Sequence, residues 1–262
     1  MRVAALYRYP VKGFNPESCD SLHVLPGGRI AGDRALGFRF NDAAVTDDGW
    51  GTKLDFVALI NTPGIAALRL RFDHEALRLR ISHNDQVLVD EVLDEAGRRH
   101  LSHAIERYVS RLEESALASR PGRFPLRVVG DGRTARYQDR EPGYATLHGR
   151  ASVAVVAEAI GEAPDATERR FRSNIALDGT DAWEEQNWIG RRLRIGSVDF
   201  DVAHPVTRCL ATHANPATGE RDVPVMPTLR RHFPTERPTF AVLTVSPSGG
   251  RISVGDRVEI HE

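Results

Sequence analysis

The 262-residue sequence predicts a mainly β fold with a few helices, of the α+β class. Segments 68–72 and 77–81 each alternate apolar with charged residues, which is the period-2 pattern of a half-buried strand. Most other apolar segments are short and end at turns that contain glycine or proline. The sequence has no GxGxxG motif after a strand and no Walker A motif, so standard nucleotide-binding folds are not indicated. Short strands with glycine turns favour a closed barrel or a sandwich over a parallel sheet.

The first half of the chain is predicted to contain mostly strands. A hairpin loop is expected at 73–75, between the two alternating segments. Leu101, Ile105, Tyr108 and Leu112 recur at helical spacing, which predicts an amphipathic helix. The other predicted strands of this half are 3–9, 29–40 (two short strands with a bend), 56–60 and 86–93.

The second half returns to strands after the breaker-rich segment 118–123, which predicts a domain boundary between residues 118 and 119. Short helices are predicted over 165–170 and 228–233. Tight hairpins are predicted around Gly196-Ser197 and around Ser248-Gly249-Gly250. The predicted strands are 126–129, 152–156, 172–177, 193–195, 198–202, 240–245 and 252–260.

The charge balance bears on the class of ligand. The chain has 35 Lys and Arg against 36 Asp and Glu, a net charge of −1, which argues against a general nucleic-acid binder but not against a local anion site. Lys12 and Lys53 are the only lysines, and we attribute the excess of arginine over lysine to a coding bias of the genome.

The cysteine count and the hydropathy pattern bear on the compartment. Cys19 and Cys209 are too few for a disulfide framework, although one bridge is left open. The N-terminus lacks the apolar run of a signal peptide, and no stretch approaches the ~18 apolar residues of a membrane span. We therefore expect a cytoplasmic protein in a reducing compartment, with no membrane span.

The densest polar segment runs from His204 to Asp222, and Cys209 is its most reactive residue type. The neighbouring Arg208 favours a thiolate, which can act as a nucleophile, a persulfide carrier or a ligand for a soft metal. The alternative, favoured by composition alone, is a small buried hydrophobic residue. A zinc site of His204, Cys209 and His213 lacks the usual paired spacing, and a hydrolytic Cys–His pair is no better supported.

Three further segments place cations beside predicted strands. They contain Lys12, Arg34 and Arg172, and both lysine and arginine suit phosphate. Taken singly, each is typical of a solvated charge at the end of a strand.

Taken in order, these segments resemble the MOSC-domain proteins, a family named after the C-terminal domain of molybdenum cofactor sulfurase. The layout is similar to the two-part form, with an N-terminal MOSC-associated β-barrel domain at 1–118 and a C-terminal MOSC-type β-barrel at 119–262, as in the mitochondrial amidoxime-reducing component and its bacterial relatives. The resemblance rests on Tyr9-Pro10-Val11-Lys12, Gly32-Asp33-Arg34, Arg170-Phe171-Arg172-Ser173-Asn174, Thr207-Arg208-Cys209 and Asn215-Pro216-Ala217-Thr218-Gly219.

The resemblance implies a molybdenum cofactor (Mo-molybdopterin) and no pyridoxal phosphate. Cys209 corresponds to the cysteine that ligates molybdenum in that family and is therefore the implied catalytic residue and metal ligand. The metal is also held by the dithiolene of the pterin and by oxo groups. The residues implied to bind the cofactor or shape its pocket are Lys12, Arg34, Arg172, Asn174, Thr207, Arg208, Thr218 and Gly219.

The sequence also departs from the family pattern. Gly13 stands where Ser is frequent, Leu36 replaces an aromatic residue, Ser173 replaces Pro, and Asn215 stands where Asp is frequent. These differences affect the expected cofactor contacts and substrate pocket rather than the metal ligand. Because the chain stops at Glu262, we expect no C-terminal iron–sulfur domain.

The resemblance implies an oxidoreductase that reduces N-hydroxylated small molecules such as amidoximes or hydroxylamines. A separate flavin, haem or iron–sulfur protein is expected to donate electrons, because the chain shows no site for such a group. Two alternatives stay open: a persulfide or cofactor carrier that also uses Cys209, and an interaction module without cofactor. The sequence leaves the oligomeric state open.

Overall fold

The computed structural model describes residues 1–115, 120–233 and 237–261. Strands predominate over helices, so the predicted mainly β, α+β class is confirmed. The strands are β1 (Arg2–Arg8), β2 (Glu17–Cys19), β3 (Ser21–Val24), β4 (Gly37–Arg39), β5 (Arg69–Asp73), β6 (Arg78–His83), β7 (Gln86–Val92), β8 (Arg127–Val129), β9 (Ala145–Gly149), β10 (Ile175–Asp178), β11 (Arg192–Ile195), β12 (Val198–Thr207), β13 (Thr239–Val245), β14 (Gly250–Ser253) and β15 (Val258–His261). The helices are α1 (Glu95–Val109), α2 (Arg150–Ile160), α3 (Pro164–Phe171) and α4 (Val225–His232).

The largest sheet closes into a barrel. Its strand order is β15-β11-β12-β13-β9-β10-β1-β2, and each pair is antiparallel except β9 with β10. An antiparallel bridge joins Arg2 to Arg257, just before β15, and the amide of Val3 donates to the Asp256 carbonyl at 2.9 Å. The barrel is filled by buried apolar side chains such as Leu147 and Phe200. The tight hairpin predicted at Gly196-Ser197 joins β11 to β12.

A second core lies beside the barrel. The alternating segments form β5 and β6, which pair with β7, and α1 packs against this three-stranded sheet. The predicted helix is present, and Asp94 caps its first turn by accepting a hydrogen bond from the Gly97 amide at 2.7 Å. Leu101 and Ile105 on its inner face are fully buried in this core.

The barrel draws strands from both halves of the chain. β1 pairs with β10 on one side and with β2 on the other, so residues 2–19 extend a sheet built mainly from the second half. The predicted domain boundary between residues 118 and 119 lies outside the described residues and stays a prediction. Within the described ranges, no helix has the length and apolar character needed to cross a membrane.

The prediction of a strand at 152–156 was wrong, because these residues belong to α2. Val153, Val156 and Ala157 are buried at spacings of three and four residues, which is a helical face rather than a strand face. Gly161 ends the helix in the left-handed conformation that glycine adopts without steric cost.

Three other predictions, two of strands and one of a hairpin, were also wrong. In segment 56–60, only Phe56 forms a bridge, to Arg39, and a turn follows it. The hairpin predicted around Ser248–Gly250 does not form, because β14 pairs with β3 instead of β13. Segment 252–260 is divided between β14 and β15 by a turn. Pairing partners distant in sequence cannot be read from local periodicity.

Candidate functional site: a cationic cavity around Cys209

A cavity of about 360 Å³ lies where the barrel meets the second core. Cys209 lines it, together with the end of α3, the start of β10 and the loop before β9. A recess of about 60 Å³ shares Cys209, Arg34 and Arg172 with this cavity and extends to Lys12. The cavity and its recess therefore bring together most of the residues that the sequence singled out.

Cys209 is positioned by the end of β12. The strand finishes at Thr207, and a short 3-10 turn over Leu210–His213 begins directly after the cysteine. The Cys209 carbonyl accepts hydrogen bonds from the amide and the hydroxyl of Thr212, at 3.1 and 3.0 Å. These bonds fix the backbone while the partly exposed side chain lines the cavity.

Arg208 is held by backbone carbonyls. Its guanidinium donates to the carbonyls of Phe240 and Phe171, both at 2.9 Å, and lies over the rings of these two residues. Burial lowers the pKa of Arg208 to about 10. Its Nη2 is buried without a hydrogen-bond partner in the described chain, so one donor remains for a ligand.

Tyr9 forms cation–π contacts with two arginines. The guanidiniums of Arg34 and Arg172 stand over its ring, at 4.5 and 4.4 Å from the centroid. Arg34 pairs with Asp33, which raises its pKa against the opposing effect of burial. Arg172 donates to the Phe14 carbonyl at 2.6 Å, and burial lowers its pKa to about 10. The two cations share one aromatic platform, but one carboxylate neutralises only the first.

Asn174 lines the cavity but is almost fully buried, with 1% of its surface exposed. Its side-chain amide donates to the Tyr7 carbonyl and to Asp33, at 3.1 and 3.3 Å. Its side-chain oxygen accepts from the amide and hydroxyl of Thr146. Since both ends of the amide are engaged, Asn174 joins β1, β9 and β10 behind the cavity.

Lys12 reaches the recess but is not free. Its Nζ donates to the Tyr137 carbonyl and to Asp139, both at 2.8 Å, and burial lowers its pKa. Asp139 is mostly exposed and lines both the cavity and the recess. Lys53 also lines both, so the two lysines of the chain meet at one site.

Thr207, Thr218 and Gly219 take different positions. Thr207 lines the cavity at the end of β12. Thr218 and Gly219 do not line it; they belong to a turn in which Asn215 accepts from the Thr218 amide at 3.2 Å. Gly219 contacts the backbone of Gly64, so this turn rests against the second core.

Several lining residues were missed by the sequence analysis. Lys53 carried a signal, because it is one of only two lysines. Asp139 lies in a loop without a recognisable motif and is brought to the site by Lys12. The other missed residues of the cavity wall include Gln138, Arg140, Tyr144 and Thr146.

The cavity suits an anion bound beside a soft sulfur ligand. Neither Arg172 nor Arg208 forms an ion pair within the described chain, whereas Arg170 pairs with Glu162 and Asp222. Arginines without a carboxylate partner can bind a phosphate, and a thiolate can bind a thiophilic metal. No group of three His, Cys, Asp or Glu residues in the described ranges could hold a metal ion, so the zinc alternative has no support there.

Fold and site thus define a barrel protein with a cysteine in a cationic cavity. Residues 143–259 match the MOSC domain, and this part of the chain is therefore a MOSC domain, as the resemblance predicted. Both Lys12 and Arg34 lie outside the matched residues.

The chain is similar to proteins named molybdenum cofactor sulfurase. It is 28% identical over 267 aligned residues to that of Anopheles gambiae, covering 88% of this chain and 33% of that protein. It is 40% identical over 70 residues to that of Drosophila pseudoobscura pseudoobscura, covering 27% of this chain and 9% of that protein. The chain thus spans a third or less of the length of these two relatives.

Two solved structures show a more distant likeness. The YuaD protein from Bacillus subtilis is 12% identical, with a TM-score of 0.43, over 100% of this chain and 95% of that one. YiiM from Escherichia coli is 17% identical, with a TM-score of 0.34, over 45% of this chain and 54% of that one.

Proposed function

We propose that the chain binds the molybdenum cofactor through Cys209 and acts as an oxidoreductase that reduces N-hydroxylated small molecules. The MOSC domain at 143–259 and the likeness to molybdenum cofactor sulfurases support a role related to that cofactor. The reduction of N-hydroxylated substrates rests on the sequence resemblance alone.

One observation carries the cofactor proposal. Cys209 shares its cavity with two partly buried arginines, Arg172 and Arg208, that have no ion-pair partner in the described chain. Removing cations from water without a counter-charge is unfavourable, so the site favours an anionic ligand. The cavity volume of about 360 Å³ lies in the range of small-molecule sites.

The residues divide into ligand, anion binders and support. The Cys209 sulfur would hold the metal, and Arg172 and Arg208 would bind the phosphate, with Arg34 and Lys12 adding positive charge. Thr207 flanks the ligand, and Asn174 fixes the strands behind it. Thr218 and Gly219 shape the turn beyond the cavity rather than contacting the cofactor.

When bound, the cofactor supplies two-electron redox chemistry at molybdenum. Reducing one N–O bond consumes two electrons and two protons and releases one water. The electrons would come from a separate redox protein. Both cysteines are free, which agrees with the reducing, cytoplasmic setting that we infer from the sequence.

A second candidate is a carrier of cofactor or of persulfide sulfur without turnover. It is favoured by the name of the relatives, molybdenum cofactor sulfurase, because the chain matches a part of those proteins that includes the MOSC domain. A carrier needs the same cysteine and the same cations. The two candidates therefore differ in bound metal and turnover rather than in the residues they use.

The decisive experiment measures molybdenum and released pterin per chain after anaerobic purification from molybdate-supplemented cells. We expect near-stoichiometric amounts of both in the wild type. Cys209→Ala should lose most of its molybdenum while keeping its fold, as checked by circular dichroism. Cys19→Ala is the matched control, because Cys19 packs against the barrel core away from the cavity.

Each outcome separates the candidates. Metal with pterin, together with turnover of an amidoxime by a reducing partner, supports the oxidoreductase. Pterin without metal, or a mass increase of one sulfur atom on Cys209, supports the carrier. Equal molybdenum in the wild type and in Cys209→Ala would overturn the ligand role.

A further inference from the structure

A second cleft, of about 280 Å³, lies next to the cysteine cavity. The two share Arg170, Arg172 and Ala211 as a common wall. We name this second space the arginine cleft, and its polar lining includes Arg69, Arg169, Arg172, Tyr7, Asn15 and Ser18. None of the residues assigned above to the cofactor, apart from Arg172, lines it.

The arginine cleft carries uncompensated positive charge. Within the described chain, no Asp or Glu lines it. Arg69 donates only to the carbonyls of Ala66 and Leu68, at 3.3 and 3.5 Å, and Arg169 forms no hydrogen bond or ion pair in that part of the chain. A guanidinium without a carboxylate partner can bind a carboxylate or phosphate with two parallel hydrogen bonds.

Other arginines nearby have carboxylate partners, which makes the contrast informative. Arg170, on the shared wall, binds Glu162 and Asp222 at 2.6 and 2.8 Å. Arg8 binds Glu17 at 2.9 Å. Carboxylates neutralise Arg8 and Arg170, whereas Arg69 and Arg169, both exposed, have no carboxylate partner in the described chain.

The rest of the wall indicates the kind of molecule that carries the anion. Leu59, Leu70 and Pro216 contribute apolar surface beside the arginines. The hydroxyl of Tyr7 and the amide of Asn15 are already engaged, with Glu168 at 2.7 Å and with the Leu68 carbonyl at 2.5 Å. A mixed wall of this kind suits an organic anion with a hydrocarbon part better than a free inorganic ion.

We propose that the arginine cleft binds the carboxylate or phosphate group of a small organic molecule through Arg69 and Arg169. Because the cleft and the cysteine cavity are adjacent, a molecule long enough to span both would place its other end near Cys209. The proposal of an anion site rests on the lining of the cleft and does not depend on the proposed function. Its assignment to the substrate rests on the proposed function, and it narrows the substrate class to N-hydroxylated compounds with an anionic group.

The direct test is calorimetric binding of phenyl phosphate and of benzoate to the wild type and to the double variant Arg69→Ala/Arg169→Gln. We expect affinity for both anions to fall by about tenfold or more, equivalent to about 1.4 kcal/mol. Arg71→Ala is the matched control, because Arg71 is exposed on the same strand and does not line the cleft. Equal affinity in the wild type and the double variant, or an equal loss in Arg71→Ala, would overturn the proposal.

A second measurement separates this proposal from the cofactor proposal. In a Cys209→Ala background, the double variant should lose as much affinity for phenyl phosphate as it does in the wild-type background, even after the loss of molybdenum. In loaded protein, the double variant should raise the KM of a carboxylate-bearing amidoxime and leave that of a neutral amidoxime unchanged. An absence of molybdenum in a wild type whose affinity for phenyl phosphate still depends on Arg69 and Arg169 would reject the proposed function and retain the anion site.

Discussion

Glu185 is a carboxylic acid buried without a full set of hydrogen bonds. None of its surface is exposed, Oε2 accepts from the Ser152 hydroxyl at 2.8 Å, and Oε1 has no partner in the described chain. Burial raises its pKa above the ordinary 4.5, although the bond from Ser152 opposes this. Between 4.5 and the raised value, the folded protein holds a proton that the unfolded chain has released. The free energy of unfolding therefore falls as pH rises through this window.

We predict that Glu185→Gln removes this pH dependence. The amide keeps the size of the side chain but cannot ionise, so the variant should gain stability relative to the wild type as the pH rises from about 4 to about 8. Urea unfolding at both ends of that range measures the effect. An identical difference between variant and wild type at the two pH values would show that Glu185 does not ionise on unfolding.

At the scale of elements, the turn at Asn215–Gly219 rests on the 3-10 turn over Pro63–Ala67. Gly219 has a φ of +79°, and a Cβ at this position would stand 2.5 Å from the Cα of Gly64. The Arg221 guanidinium reinforces this contact by donating to the Ile60 carbonyl at 2.9 Å. The segment after Cys209 is thereby anchored to the second core.

We predict that Gly219→Ala lowers the free energy of unfolding by about 2 kcal/mol or more. The strain of a positive φ and the clash with the backbone of Gly64 both destabilise the folded state. Gly190→Ala is the matched control, since Gly190 has a φ of +86° with no atom within 4 Å of an added Cβ. Denaturant unfolding should show the larger loss for Gly219→Ala. Equal losses would mean that the clash relaxes and only the φ strain remains.

For the whole molecule, barrel closure depends on the first strand. β1 pairs with β10 and with β2, and its Val3 and Leu6 are buried in the barrel core. A fragment that begins at residue 119 lacks these strands. It would expose the edge of β10 and leave part of the barrel core unfilled.

We predict that residues 119–262 expressed alone do not unfold cooperatively. Near-ultraviolet circular dichroism and urea titration test this, with the full chain as reference. Adding a peptide of residues 1–24, which carries β1, β2 and β3, should restore part of the native signal. A fragment that unfolds in one sharp transition would contradict the prediction and would support the boundary inferred at 118/119.

Local periodicity predicted the elements in which burial follows a regular pattern. β5, β6 and α1 were found because their buried faces repeat every two residues or at helical spacing. The strand prediction for segment 152–156 was wrong because a short run rich in valine is compatible with both a strand and a helix. Long-range pairings such as that of β14 with β3 were not predicted, because they leave no local signal in the sequence.

The sequence by itself determined the fold class, the MOSC resemblance and the choice of Cys209, because these depend on residue type, order and period. Only the tertiary structure decided which of the named residues share a cavity. In the folded chain, the side-chain amide of Asn174 bonds to neighbouring strands, and Lys12 pairs with Asp139. Arg172 and Arg208 form no ion pairs in the described chain and donate to backbone carbonyls. The tertiary structure also brought Arg69 and Arg169 to one cleft, 100 residues apart in sequence. Charge compensation depends on distances in space, which a linear sequence does not contain.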